Sequence, residues 1–62
     1  MKYSELAAKL RKAGCIPTGI EQGGHPLWYS PKTDKTFQLS HHSSQEVAVG
    51  TLNKILKTAG LK

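Results

Sequence analysis

With 62 residues, of which 37% are hydrophobic, the chain has material for one domain over 1–62 with a thin core, and no room for a separate cofactor domain. Nine Lys and Arg against four Asp and Glu give a formal net charge of +5, which favours nucleic acid or an acidic protein as partner. The single Cys15 excludes an internal disulfide and a cysteine-built zinc site, no apolar run approaches the ~20 residues of a membrane span, and Met1-Lys2-Tyr3-Ser4-Glu5 opens no secretory signal, so a reduced, cytoplasmic protein without a membrane partner is expected.

Ser4 is suited to cap the first predicted helix, and Glu5 puts negative charge on the first turn, where the helix dipole favours it. Leu6, Ala7, Leu10 and Ala13 fall on one helical face, Lys9, Arg11 and Lys12 lie off it, and Gly14 ends the helix. Residues 15–22 read as an irregular or edge strand, because Ile16, Thr18 and Ile20 alternate while Pro17 cannot donate to a sheet ladder. Gly23-Gly24 marks a turn. His25 to Ser30 is bulky and β-prone, residues 31–35 turn the chain, and residues 36–40 alternate as a third strand. Residues 41–46 form a polar connection. In the last helix Leu52, Ile55, Leu56 and Ala59 make one face, Lys54 and Lys57 lie on the solvent side, and Gly60 closes it. The order predicts an α+β fold of two layers, with two amphipathic helices covering one face of a three-stranded antiparallel sheet. The other face stays open.

His25 draws attention because it follows two glycines and opens a strand. An imidazole, with a pKa of ~6.5 in water, takes or gives a proton near neutrality without costly tuning, and glycines let a phosphodiester approach the ring. In an extended strand His25, Leu27 and Tyr29 share one face, and Pro26, Trp28 and Ser30 the other. Apolar residues occupy both, so the phase is open; if Trp28 enters the core, His25 and Tyr29 point to the open face. On the residues alone, His25 either serves acid–base chemistry or tops a turn. His41 and His42 are adjacent and point apart in extended chain, and the three histidines with Asp34 match no familiar zinc spacing. Trp28 and Tyr29 suit base stacking, but four aromatics are also what the core has to draw on. Cys15 reads as a small buried residue. No Ser-His-Asp arrangement, phosphate loop or carboxylate pair is present.

The segment Gly23-Gly24-His25-Pro26-Leu27-Trp28-Tyr29-Ser30-Pro31 resembles the Gly-Ser-His-x-x-aromatic-x-x-Pro signature of HicA-type toxins, small mRNA interferases of bacterial toxin–antitoxin pairs. Leu39-Ser40-His41-His42 resembles that family's apolar residue, Pro, variable residue and His, and the stretch from Gly50 to Leu61 is similar to its Gly-Thr-Leu-x-x-Ile-Leu-x-x-Ala-Gly-Leu end. The resemblance implies a fold similar to double-stranded-RNA-binding domains. It also implies an endoribonuclease acting on mRNA without metal or cofactor, with His25 as the catalytic residue. A HicB-type antitoxin would cover the site and repress the shared operon. Gly23, Gly24, Tyr29 and His42 are the candidate substrate-binding residues, His42 also the candidate second acid or base, and no direct DNA binding is expected from this chain alone. Two positions depart from the pattern: Gly24 stands where serine is usual and Ser40 where proline is usual. Pro26 is also unusual and restricts His25 to extended backbone. Two other readings stand beside the toxin: a non-catalytic RNA-binding module of the same fold, and a basic protein whose charge serves only an acidic partner.

Overall fold

The computed structural model describes residues 1–40, 42 and 44–62; His41 and Ser43 lie outside the described residues. The elements follow in the order α1 (Tyr3–Lys12), β1 (Ile16–Gln22), β2 (His25–Ser30), β3 (Lys35–Gln38) and α2 (Val49–Ala59). The three strands form one antiparallel sheet in the order β1-β2-β3. This is the expected α+β layout of helix, three-stranded meander and helix. No helix among the described residues is long and apolar enough to cross a membrane.

Helix α1 begins two residues earlier than its sequence suggests. Lys2, not Ser4, holds the N-cap position, and the Glu5 carboxylate accepts the Lys2 backbone N–H at 3.0 Å. A long-range clamp sets that start: Tyr3 N donates to Gln45 O at 3.0 Å and Val47 N to Met1 O at 2.9 Å, so the chain after β3 pairs with the residues before α1. Glu5 still lies in the first turn, where it satisfies an end N–H and complements the dipole. At the other end Cys15 N donates to Leu10 O and Gly14 N to Arg11 O, the paired bonds that close a helix onto a left-handed residue.

The core is small and continuous. Leu6 and Leu10 from α1 meet Trp28, Phe37 and Leu39 from the sheet side, Cys15 and Val47 from the connections, and Ile55 and Ala59 from α2. Leu52 and Leu56 pack against it partly buried, so the predicted apolar faces of both helices are the buried ones. Strand β1 behaves as the edge strand that Pro17 predicts, with all seven residues exposed. Its register shifts between Pro17 and Glu21, so that three residues oppose Leu27 alone. Thr18 closes this bulge by donating its hydroxyl to Leu27 O at 2.9 Å and accepting the Ile20 N–H at 3.2 Å. Strand β3 runs over Lys35–Gln38 rather than 36–40, although Leu39 N still donates to Pro26 O at 3.0 Å.

Two hydroxyls tie the sheet to the end of α2. Ser30, fully buried, donates to Ala59 O at 2.8 Å, and Thr33 donates to Thr58 O at 2.6 Å. Both acceptors belong to the last turn of a helix, whose carbonyls lack intrahelical donors. Gly60 follows in the left-handed region at φ 81°, and a Cβ there would lie 2.8 Å from Thr33 Cγ2, so neither backbone nor space admits a larger residue. Replacing Ser30 by Ala strands the Ala59 carbonyl in the core. The expected outcome is a loss of about 1–2 kcal/mol with an unchanged denaturant slope, read from urea unfolding midpoints.

Candidate active site

Strand β2 is bulky on both faces, and packing decides its phase. Trp28 and Ser30 are buried under the helices, so His25, Leu27 and Tyr29 face the open side of the sheet. Arg11 of α1 lies over the Trp28 ring, 5.2 Å from its centroid, and closes the helix-side edge of the core. The sheet register extends the open face across all three strands: Ile16 opposes Tyr29, Gln22 opposes His25, Gln38 opposes Leu27 and Thr36 opposes Tyr29.

His25 is presented by a two-residue hairpin. Gly23 and Gly24 have φ of 61° and 81°, the left-handed pair of a type I′ turn that glycine adopts without strain. A Cβ at either position would meet nothing within 4 Å, so a ligand can approach His25 over the turn. The imidazole is exposed, at the first position of β2.

The other candidate residues take different places. Tyr29 is on the same face as His25 but four residues along the strand, about 13 Å away at ~3.3 Å per residue, so both cannot act on one scissile phosphate. Its hydroxyl donates to Asp34 Oδ1 at 2.6 Å. That bond, with some desolvation and the Asp34 charge, holds the phenol above its ordinary pKa of 10.0. Asp34 reaches it from the β2–β3 turn, where it sits at φ 57°. His42 is exposed and follows the end of β3. Leu39 pairs with Pro26, so β3 ends at the same end of the sheet as His25, and the His42 N–H donates to Ser40 Oγ at 3.2 Å. The structure therefore places Gly23, Gly24 and His25 at the end of the sheet where β3 finishes, and sets Tyr29 with Asp34 at the other. Among the described residues, no group of three His, Cys, Asp or Glu is placed to hold a metal ion.

This arrangement, a β-prone Gly-Gly-His hairpin on an open sheet backed by two helices, is matched at the level of sequence. A family model described as HicA toxin of bacterial toxin-antitoxin covers residues 3–61. The chain belongs to the HicA toxin family. Neither a curated protein nor a solved structure matches it. As a toxin of this family it has an antitoxin as its counterpart in a toxin–antitoxin pair.

Charge in this HicA toxin is segregated, which composition does not reveal. Lys9, Arg11 and Lys12 belong to α1, and Lys54 and Lys57 to α2. Lys62 bonds Asn53 of α2, Lys32 lies beside Gly60, Lys35 opposes the inward-facing Ser30, and Lys2 caps α1. All nine Lys and Arg thus lie off the open face, whose register set of Ile16, Gln22, His25, Leu27, Tyr29, Thr36 and Gln38 holds no Lys, Arg, Asp or Glu. Replacing Asp34 by Asn removes the acceptor's charge and should lower the Tyr29 pKa toward the ordinary value. Tyrosinate absorbance followed through alkaline pH, against a Tyr29→Phe blank, measures the shift. The wild-type bond stabilises the fold below the ordinary tyrosine pKa and is lost as pH rises through the raised one.

Proposed function

We propose that the chain is an endoribonuclease toxin, an mRNA interferase, that cleaves RNA without a metal and is neutralised by a HicB-type antitoxin. The observation that carries this reading is His25: an exposed imidazole at the mouth of an uncrowded glycine turn, in a chain of the HicA toxin family. The reading takes 1–62 as one catalytic domain working in the cytoplasm.

The chemistry follows from what RNA cleavage needs. A base takes the proton of the ribose 2′-OH, the oxygen attacks phosphorus, and the bond to the 5′-oxygen breaks as that oxygen gains a proton. The products are a 2′,3′-cyclic phosphate and a free 5′-hydroxyl. His25 serves as the base or as the acid, being the ionisable side chain at the turn. His42, which follows the end of β3, is the candidate for the complementary proton transfer. The cationic helix layer supplies salt-sensitive, sequence-independent attraction for the RNA backbone. Gly23 and Gly24 contribute by leaving room for the phosphodiester, and Tyr29, distant from His25, contributes by stacking on a base further along the strand.

The test is cleavage of purified, ribosome-free RNA in EDTA by wild type and by His25→Ala, both first matched by circular dichroism. Wild-type cleavage yielding cyclic phosphate ends, with at least a hundredfold lower rate in the variant (about the span that one acid–base group contributes), is the expected result. Salt-sensitive RNA binding by both proteins with cleavage by neither would instead make this a non-catalytic RNA-binding module.

A further inference from the structure

A groove of about 440 Å³ wraps the outer edge of β3 and joins the open sheet face to α2. Gln22 and Gln38 line it from the sheet, Thr51 and Lys54 from α2, and Leu27 and Phe37 provide apolar wall. Among the described residues strand β3 is bonded to β2 alone, so its outer backbone groups have no strand partner there. Gln38 Nε2 donates to Gln22 Oε1 at 3.1 Å across β2, a bond that engages only part of what two primary amides can donate and accept. We propose that this groove is the nucleotide subsite of the RNA substrate, in which the Gln22–Gln38 pair reads a base edge and Lys54 holds a phosphate.

Three features converge on an RNA strand as the occupant. The volume lies within the roughly 300–1,000 Å³ of small-ligand sites, enough for a single nucleotide and too little for a duplex. The lining pairs amide and hydroxyl groups with apolar wall and one cation, the mixture that a base, a ribose and a phosphate require. The groove also links the uncharged face carrying His25 to the cationic helix layer, and Gln22 sits directly opposite His25 in the hairpin, with Cα atoms about 5 Å apart in such pairs. A nucleotide held there adjoins the phosphate that reaches His25. The proposal rests on the ribonuclease reading for its substrate, but not for its test.

The experiment titrates isotopically labelled His25→Ala protein with four short homopolymeric oligoribonucleotides, following backbone amide shifts by NMR and affinities at several salt concentrations. The expected shifts cluster in Thr36, Phe37 and Gln38 of β3 and in Thr51 to Lys54 of α2. Lys54→Gln should weaken all four oligonucleotides alike and reduce the slope of log affinity against log salt by about one. Gln38→Ala should change the ranking of the four bases and leave that slope unaltered. RNA-dependent shifts confined to α1 or to the far end of the open face, with parental affinity in both variants, overturn the proposal. So do β3 shifts that appear only with an added antitoxin, which would make the edge a strand-addition site. Wild-type cleavage is scored separately: groove binding without cleavage keeps the subsite and removes the ribonuclease, and cleavage without groove shifts does the reverse.

Discussion

The burial of Trp28 is the constraint from which the working surface follows. Side chains alternate along a strand, so a slip of one residue would carry His25 and Tyr29 inward and Trp28 into water. Trp28 is the largest side chain in the molecule and is 5% exposed, held between Leu6 and Leu10 of α1 and the other core residues with Arg11 over its ring. Its indole resolves a choice that the apolar residues on both faces of β2 leave open. With Trp28 and Ser30 inward, His25 must stand on the uncovered face. A single packing preference thus sets both the core and the position of the candidate catalytic group.

The second constraint is the seat of α2. Helix C-termini expose carbonyls that need donors, and this chain supplies them from the hairpin between β2 and β3: Ser30 to Ala59 and Thr33 to Thr58. Those bonds hold the last turn of α2 against the β2–β3 turn, and Gly60 allows the close approach. A helix pinned at that end lies beside the sheet's β3 edge rather than centrally across it. The groove between β3 and α2 is the space this pinning leaves, which is why it has sheet residues on one wall and α2 residues on the other.

What could be read from the sequence was whatever depends on local pattern. Both helices, their buried faces and their glycine stops follow from 3.6-residue periodicity, and the Gly-Gly turn and edge character of β1 follow from residue chemistry. The helix start at Lys2 did not follow, because it is set by backbone pairing with Gln45 and Val47, over forty residues away. The bulge at Thr18 depends on a bond to Leu27 O that exists only once β1 and β2 are in register. At the site, His25 and its turn are local and legible. Tyr29's bond to Asp34 needs the left-handed residue in the second turn, and the Gln22–Gln38 contact spans strands that are not neighbours. Neither glutamine carries a motif. The charge segregation was illegible for the same reason, since only the strand register shows that Lys35 shares a face with Ser30.

The two departures from the family pattern fall on either side of His25, and the structure gives each a physical consequence. A serine at position 24 would have to hold φ near 81°, a conformation that disfavours any residue with a Cβ, so Gly24 relaxes the turn while giving up a hydroxyl beside the imidazole. Ser40, in place of proline, offers a hydroxyl instead of a ring. Proline fixes its own φ covalently, whereas Ser40 leaves φ unconstrained and its Oγ accepts the His42 N–H at 3.2 Å. That bond is exposed and competes with water, so its net contribution is small. Each replacement exchanges one local feature for another: Gly24 removes backbone strain together with a hydroxyl, and Ser40 removes a ring and supplies an acceptor. Gln38 and Lys54, by contrast, belong to regular elements, β3 and α2, and their placement depends on neither of these two positions.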